Sequence, residues 1–115
     1  MKVGVCCHDA GAAEIISSYV MQKNILPLYC LSGPAIKVFE RKIGTIDNIP
    51  LLDIVKNSDW LLCGTSWKSD LEWNIIKEAK KQQKKTIVFL DHWVNYRERF
   101  IRNNEECLPD EIWVG

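Results

Sequence analysis

Residues Lys2 to Val20, KVGVCCHDAGAAEIISSYV, hold the transition on which the fold turns. The run Lys2 to Cys7 is apolar and short enough for one strand, and His8-Asp9-Ala10-Gly11 closes it. Ala12, Ile15, Ile16, Tyr19 and Val20 then recur at helical spacing until Lys23-Asn24. The order strand, loop, helix is therefore expected from the first residues onward.

The unit repeats along the chain. Ile25 to Leu31 predicts a second strand, Ser32-Gly33-Pro34 a turn into a helix carrying Ile36, Phe39 and Ile43 on one face, and Gly44 its stop. Thr45 to Ile49 predicts at most an edge strand, and Pro50 opens a short helix with Leu51, Leu52 and Val55. Trp60 to Cys63 reads as a buried strand ending in Gly64-Thr65-Ser66-Trp67. Ser69-Asp70-Leu71-Glu72 matches a capping box, in which the serine and the glutamate each satisfy an orphan N–H, so a helix to about Gln83 is expected. Its lysines (Lys77, Lys80, Lys81, Lys84, Lys85) suit the negative end of the helix dipole and a solvated face. Thr86 to Leu90 predicts a further strand, Asn95 to Arg102 a helix, and Glu111 to Val114 a last strand.

Near-continuous apolar strands separated by helices imply parallel pairing with both faces covered, because right-handed crossovers place helices there. The expected fold is α/β: a doubly wound, mostly parallel open sheet of five to six strands with helices on both faces, Rossmann-like, in one domain over residues 1–115. A chain of 115 residues can bury such a core without metal or disulfide staples.

Composition narrows the function classes. Fifteen basic and fifteen acidic side chains cancel, which argues against a sequence-independent pull on nucleic acid. Cys6, Cys7, Cys30, Cys63 and Cys107 are odd in number and lack CxxC spacing, so free thiols in a reducing compartment are expected. The apolar run of the N-terminus is too short for a signal peptide, and no transmembrane segment is expected. A cytoplasmic protein is the resulting expectation.

In open parallel sheets ligands bind outside the carboxyl ends of the strands. Those ends carry His8, Asp9, Gly11 and Ala12 after the first strand and Ser32 and Gly33 after the second. Gly64, Thr65, Ser66 and Trp67 follow Cys63, and Asp91, His92 and Trp93 follow Leu90. Glycine, serine, threonine and aspartate are also ordinary turn and N-cap residues, so it is their convergence on one rim that points to a site.

Chemically, the first turn could let helix N–H groups approach an anion. HDAGAAE is nevertheless not G-x-G-x-x-G, and no conspicuous acid follows the second strand, which disfavours a dinucleotide site. Trp67 and Trp93 offer flat faces for a sugar or base, or simply pack. Asp91 and His92 are adjacent on an extended strand and point to opposite faces, so a carboxylate partner for His92 would be Asp9 or another loop acid. Consecutive Cys6-Cys7-His8 cannot converge on one ion, and no metal or other cofactor is expected. Cys7 reads as buried filler rather than a nucleophile. Arg97 and Arg99 either pair with Glu105 and Glu106 or bind an anionic group. A phosphotransfer receiver is disfavoured because the Trp60–Cys63 strand ends in Gly64-Thr65-Ser66 rather than an aspartate.

The stretches HDAGAAE, GTSWKSDLEWN, KTIVFLDHWVNYRERF and LPDEIWVG together resemble the N-terminal Rossmann-like half of the GT-B superfamily of sugar-nucleotide glycosyltransferases and UDP-N-acetylglucosamine 2-epimerases. The resemblance spans the chain as an order of elements. It implies an acceptor-side domain of an enzyme of cell-surface polysaccharide or glycan synthesis, with a nucleotide sugar or sugar phosphate as ligand. A second Rossmann domain, in cis or in trans, would complete the cleft. It further implies that His8, Asp9, Gly11 and Ala12 face donor phosphates or supply the base, His8 or Asp9, and that the Gly64 and Asp91 loops face the acceptor. The sequence departs from that pattern in ending at Gly115 after a strand, as an excised half or a domain partnered by another chain would. The alternative expectation is a stand-alone Rossmann-like module that binds a nucleotide or sugar phosphate without catalysis of its own.

Overall fold

A computed structural model describes residues 2–66, 69–90 and 100–114. In chain order these form β1 (Val3–Cys7), α1 (Ala10–Gln22), β2 (Leu28–Leu31), α2 (Pro34–Lys42), α3 (Leu51–Asn57), β3 (Trp60–Cys63), α4 (Leu71–Lys81), β4 (Lys85–Leu90), β5 (Ile101–Arg102), β6 (Glu105–Glu106) and β7 (Glu111–Val114). Five strands make one all-parallel sheet in the order β2-β1-β3-β4-β7. The doubly wound, Rossmann-like α/β fold is thus present.

The period-2 alternation of each strand divides the core in two. Val3, Val5 and Cys7 of β1, Leu31, Leu62, Ile87 and Phe89 face α1 and α2, meeting Ala12, Ala13, Ile16, Val20, Val38 and Phe39. Cys6, Cys30, Leu61, Cys63, Val88 and Leu90 face the other way, onto Ile54 and Val55 of α3 and Trp73, Ile75, Ile76 and Ala79 of α4. Cys6 lies in register between Cys30 and Cys63. All five cysteines are buried and unpaired.

Three expectations are refined. Thr45 to Ile49, expected as at most an edge strand, forms no ladder. It is reduced to a single parallel bridge from Asn48 to Tyr29, beside β2. The Asn48 side chain takes both the N–H and the C=O of Leu31, at 2.7 and 3.1 Å, where a ladder would have continued. Pro50 supplies no N–H to extend it. Counted with that bridge, the sheet has the 3-2-1-4-5-6 order of the dinucleotide-binding folds.

The second is the helix expected over Asn95 to Arg102. Residues 91–99, most of that span, lie outside the described residues, and only its end is corrected: Ile101–Arg102 pairs antiparallel with Glu105–Glu106. Asn103 and Asn104 join them with φ of 51° and 63°, the two left-handed residues that a tight two-residue hairpin turn requires. Glu105 pairs with Lys77 at 3.0 Å, while Arg97 and Arg99 fall outside the described residues.

The third is the capping box. Ser69 Oγ does accept the Leu71 N–H at 3.1 Å. Glu72, however, turns into the protein and is 2% exposed. Its position explains why: with Ile75, Ile76 and Ala79, all buried, it shares the inward stripe of α4.

Candidate functional site

The strand order reverses between β1 and β3, and it is at the carboxyl ends beside such a reversal that open parallel sheets receive ligands. Polar residues from four elements meet there. His8 follows β1, and its main chain is held from both sides: the N–H donates to Glu72 Oε2 at 3.0 Å and the C=O accepts from Ala35 N–H at 2.9 Å. The imidazole Nδ1 lies 2.8 Å from Ser32 Oγ. Beneath the ring is Gly33, with φ of +52°, where a Cβ would overlap the imidazole. Glycine is required there twice over, by the left-handed backbone and by the ring.

Asp9 occupies the N-cap of α1 without capping it by its side chain. Its Oδ1 instead accepts from Ser66 Oγ at 3.0 Å, drawing the loop after β3 to the head of α1. His8 Nε2 is 3.9 Å from the same oxygen. Gly64 makes that close approach possible, since a Cβ there would come 2.5 Å from the Ala12 Cβ and 3.2 Å from Cys7 Sγ. Thr65 and Ser66 are buried.

Glu72 lies below this turn. Burial pushes its carboxyl up to about 7, Asp9 adds to the rise, and the His8 N–H, its own N–H and Arg102 oppose it. Oε1 has no hydrogen-bond partner among the described residues. Arg102 of β5 reaches across to Asp70 Oδ1 at 2.6 Å and to the Ser66 carbonyl at 2.9 Å, fastening the hairpin to the loop between β3 and α4. Burial, with Glu72 nearby, pushes the Cys7 thiol well up, so it is a protonated, packed group and not a nucleophile. Among the described residues no group of three or more His, Cys, Asp or Glu is arranged to hold a metal.

The structure therefore brings together His8, Asp9, Ala12, Ser32, Gly33, Gly64 and Ser66, with Thr65 alongside in the same loop. Gly11 is exposed in the first turn of α1. Trp67, Asp91, His92 and Trp93 lie outside the described residues. Glu72, Asp70 and Arg102 escaped the sequence reading. Glu72 had a signal, its place on the apolar stripe of α4, which the serine three residues earlier disguised as a cap.

No family model, curated protein or solved structure matches the chain. The resemblance to GT-B enzymes accordingly stands on the quoted residues alone. No described helix is long and apolar enough to cross a membrane.

The chemistry available is that of an imidazole flanked by a hydroxyl and a carboxylate, over a second, buried carboxyl. The guanidinium of Arg102 is engaged by Asp70 and main-chain carbonyls.

Proposed function

We propose that the chain is the N-terminal, acceptor-side domain of a GT-B-like glycosyltransferase of cell-surface polysaccharide or glycan synthesis, in the cytoplasm, with His8 as the base. The observation that carries this reading is the clamped imidazole: His8 ends β1 at the sheet's reversal, with Nδ1 on Ser32 and Nε2 toward Asp9. With the Nδ1 proton donated to Ser32 Oγ, Nε2 keeps a lone pair on the side of Asp9, and it is this atom that takes the proton of an acceptor hydroxyl. Asp9 then stabilises the imidazolium that forms. The carboxyls at the turn support the acceptor over the donor phosphates as its occupant. The nucleotide sugar would be held by a second Rossmann domain, in cis or in trans.

The test is sugar transfer by the protein carrying this domain with its partner domain. His8→Ala is expected to lower turnover roughly 100-fold or more, the usual worth of a general base, and Ser32→Ala to lower it less. Full transfer by His8→Ala would remove His8 as base.

A second reading is favoured by the closed cores on both sheet faces, which let this chain stand as a domain by itself. It is a Rossmann-like module that binds a nucleotide or sugar phosphate without catalysis. Tight binding of such a ligand by the 115-residue chain alone supports it, and the same ligand bound only with a second domain present supports the first reading.

A further inference from the structure

A buried carboxyl with one oxygen unpartnered is costly, and an apolar side chain of similar size would serve packing better. Among the described residues Glu72 is such a group, with Oε1 unpartnered. It reaches 64 residues back along the chain to the His8 N–H at 3.0 Å. Room for it comes from Gly64, whose missing Cβ would lie 3.3 Å from Oε2. The opposite side of the same His8 residue is tied to Ala35.

We propose that Glu72 is the positioning residue of the turn between β1 and α1: by holding the His8 amide it fixes the imidazole between Ser32 and Asp9, and its protonation state sets how firmly that turn is held. The catalytic consequence rests on His8 being the base; the contact itself does not.

Among the described residues, the titratable and charged groups facing Glu72 are Cys6 and Cys7 from β1, His8 in the turn after it, Asp9 at the head of α1 and Arg102 from β5. Burial keeps both thiols protonated. Asp9 opposes ionisation of Glu72, and the His8 N–H and Arg102 favour it. The carboxylate is the stronger acceptor for the amide, so the hold tightens as pH rises through about 7.

Two-dimensional ¹H–¹⁵N NMR of the labelled full chain tests this between about pH 5.5 and 8.5. The His8 amide proton is expected to move downfield with a midpoint near 7. Glu72→Gln keeps an accepting oxygen, so it should preserve the amide's protection from exchange while abolishing that movement. Glu72→Leu should speed exchange at His8 roughly tenfold or more relative to the Val5 and Leu61 amides. If the leucine variant does not fold, the glutamine variant decides. A His8 amide that ignores pH in the wild type, or that titrates identically in Glu72→Gln, overturns the proposal. Neither measurement uses substrate, so an active His8→Ala enzyme would sink the base assignment and leave this prediction standing.

Discussion

The burial of Glu72 makes stability depend on pH. Its carboxyl titrates at about 7 in the folded protein against an ordinary 4.5, so between those values the native state holds a proton that the unfolded chain has released. The stabilising contribution of that proton is complete below about pH 4.5 and is lost as pH rises through about 7. At 1.4 kcal/mol per pH unit the loss is roughly 3 kcal/mol. Glu72→Gln cannot ionise and should flatten the profile, so that its disadvantage at about pH 5 shrinks or reverses at about pH 8. Chemical denaturation at the two pH values reads this directly, and parallel profiles for the two proteins would show that Glu72 does not carry the charge change. Gly33 and Gly64 belong at this scale too. Each leaves out a Cβ where His8 or Ala12 already stands, and neither neighbour could be named from the sequence.

At the scale of elements, the β5–β6 hairpin is fastened to α4 at three points. Trp73 Nε1 donates to the Phe100 carbonyl at 2.8 Å, Lys77 pairs with Glu105, and Arg102 grips Asp70. Phe100 itself is 1% exposed among the α4 residues. Phe100→Ala should therefore cost about 3–5 kcal/mol of unfolding free energy, the usual penalty for emptying a buried aromatic site. A loss under about 1 kcal/mol in denaturant would mean that the hairpin is not part of the cooperative core. The strands β1, β3 and β4 were legible because strands buried on both faces have few polar positions to blur the run. The hairpin was not. Ile101 is the single apolar residue of its two strands, so no alternation marks them, and its real signal, Asn103-Asn104 with both residues in the left-handed region, is only two residues long. Thr45 to Ile49 shows the opposite limit: the position of a strand was readable, but not that a side chain, Asn48, would replace its ladder.

For the whole molecule, the topology decides where function can sit. Helices α1 and α2 close one face, α3 and α4 the other, and the reversal between β1 and β3 sets their polar carboxyl-end turns side by side, the place where sheets of this topology receive ligands. The rim residues His8, Asp9, Ser32, Gly33, Gly64 and Ser66 were readable because each directly follows an apolar run. Glu72 and Arg102 were hidden because they arrive from a helix stripe and a hairpin. Whether this cluster receives the proposed ligand can be read by titrating the ¹⁵N-labelled chain with acceptor saccharides, nucleotide sugars and sugar phosphates while following its amides. The amides of His8, Gly33, Gly64 and Ser66 are expected to shift together on one binding curve, and His8→Ala to weaken that curve. Shifts confined to the opposite, amino end of the sheet, around Lys80, Lys84 and Lys85, with the His8 turn unmoved, would contradict that expectation.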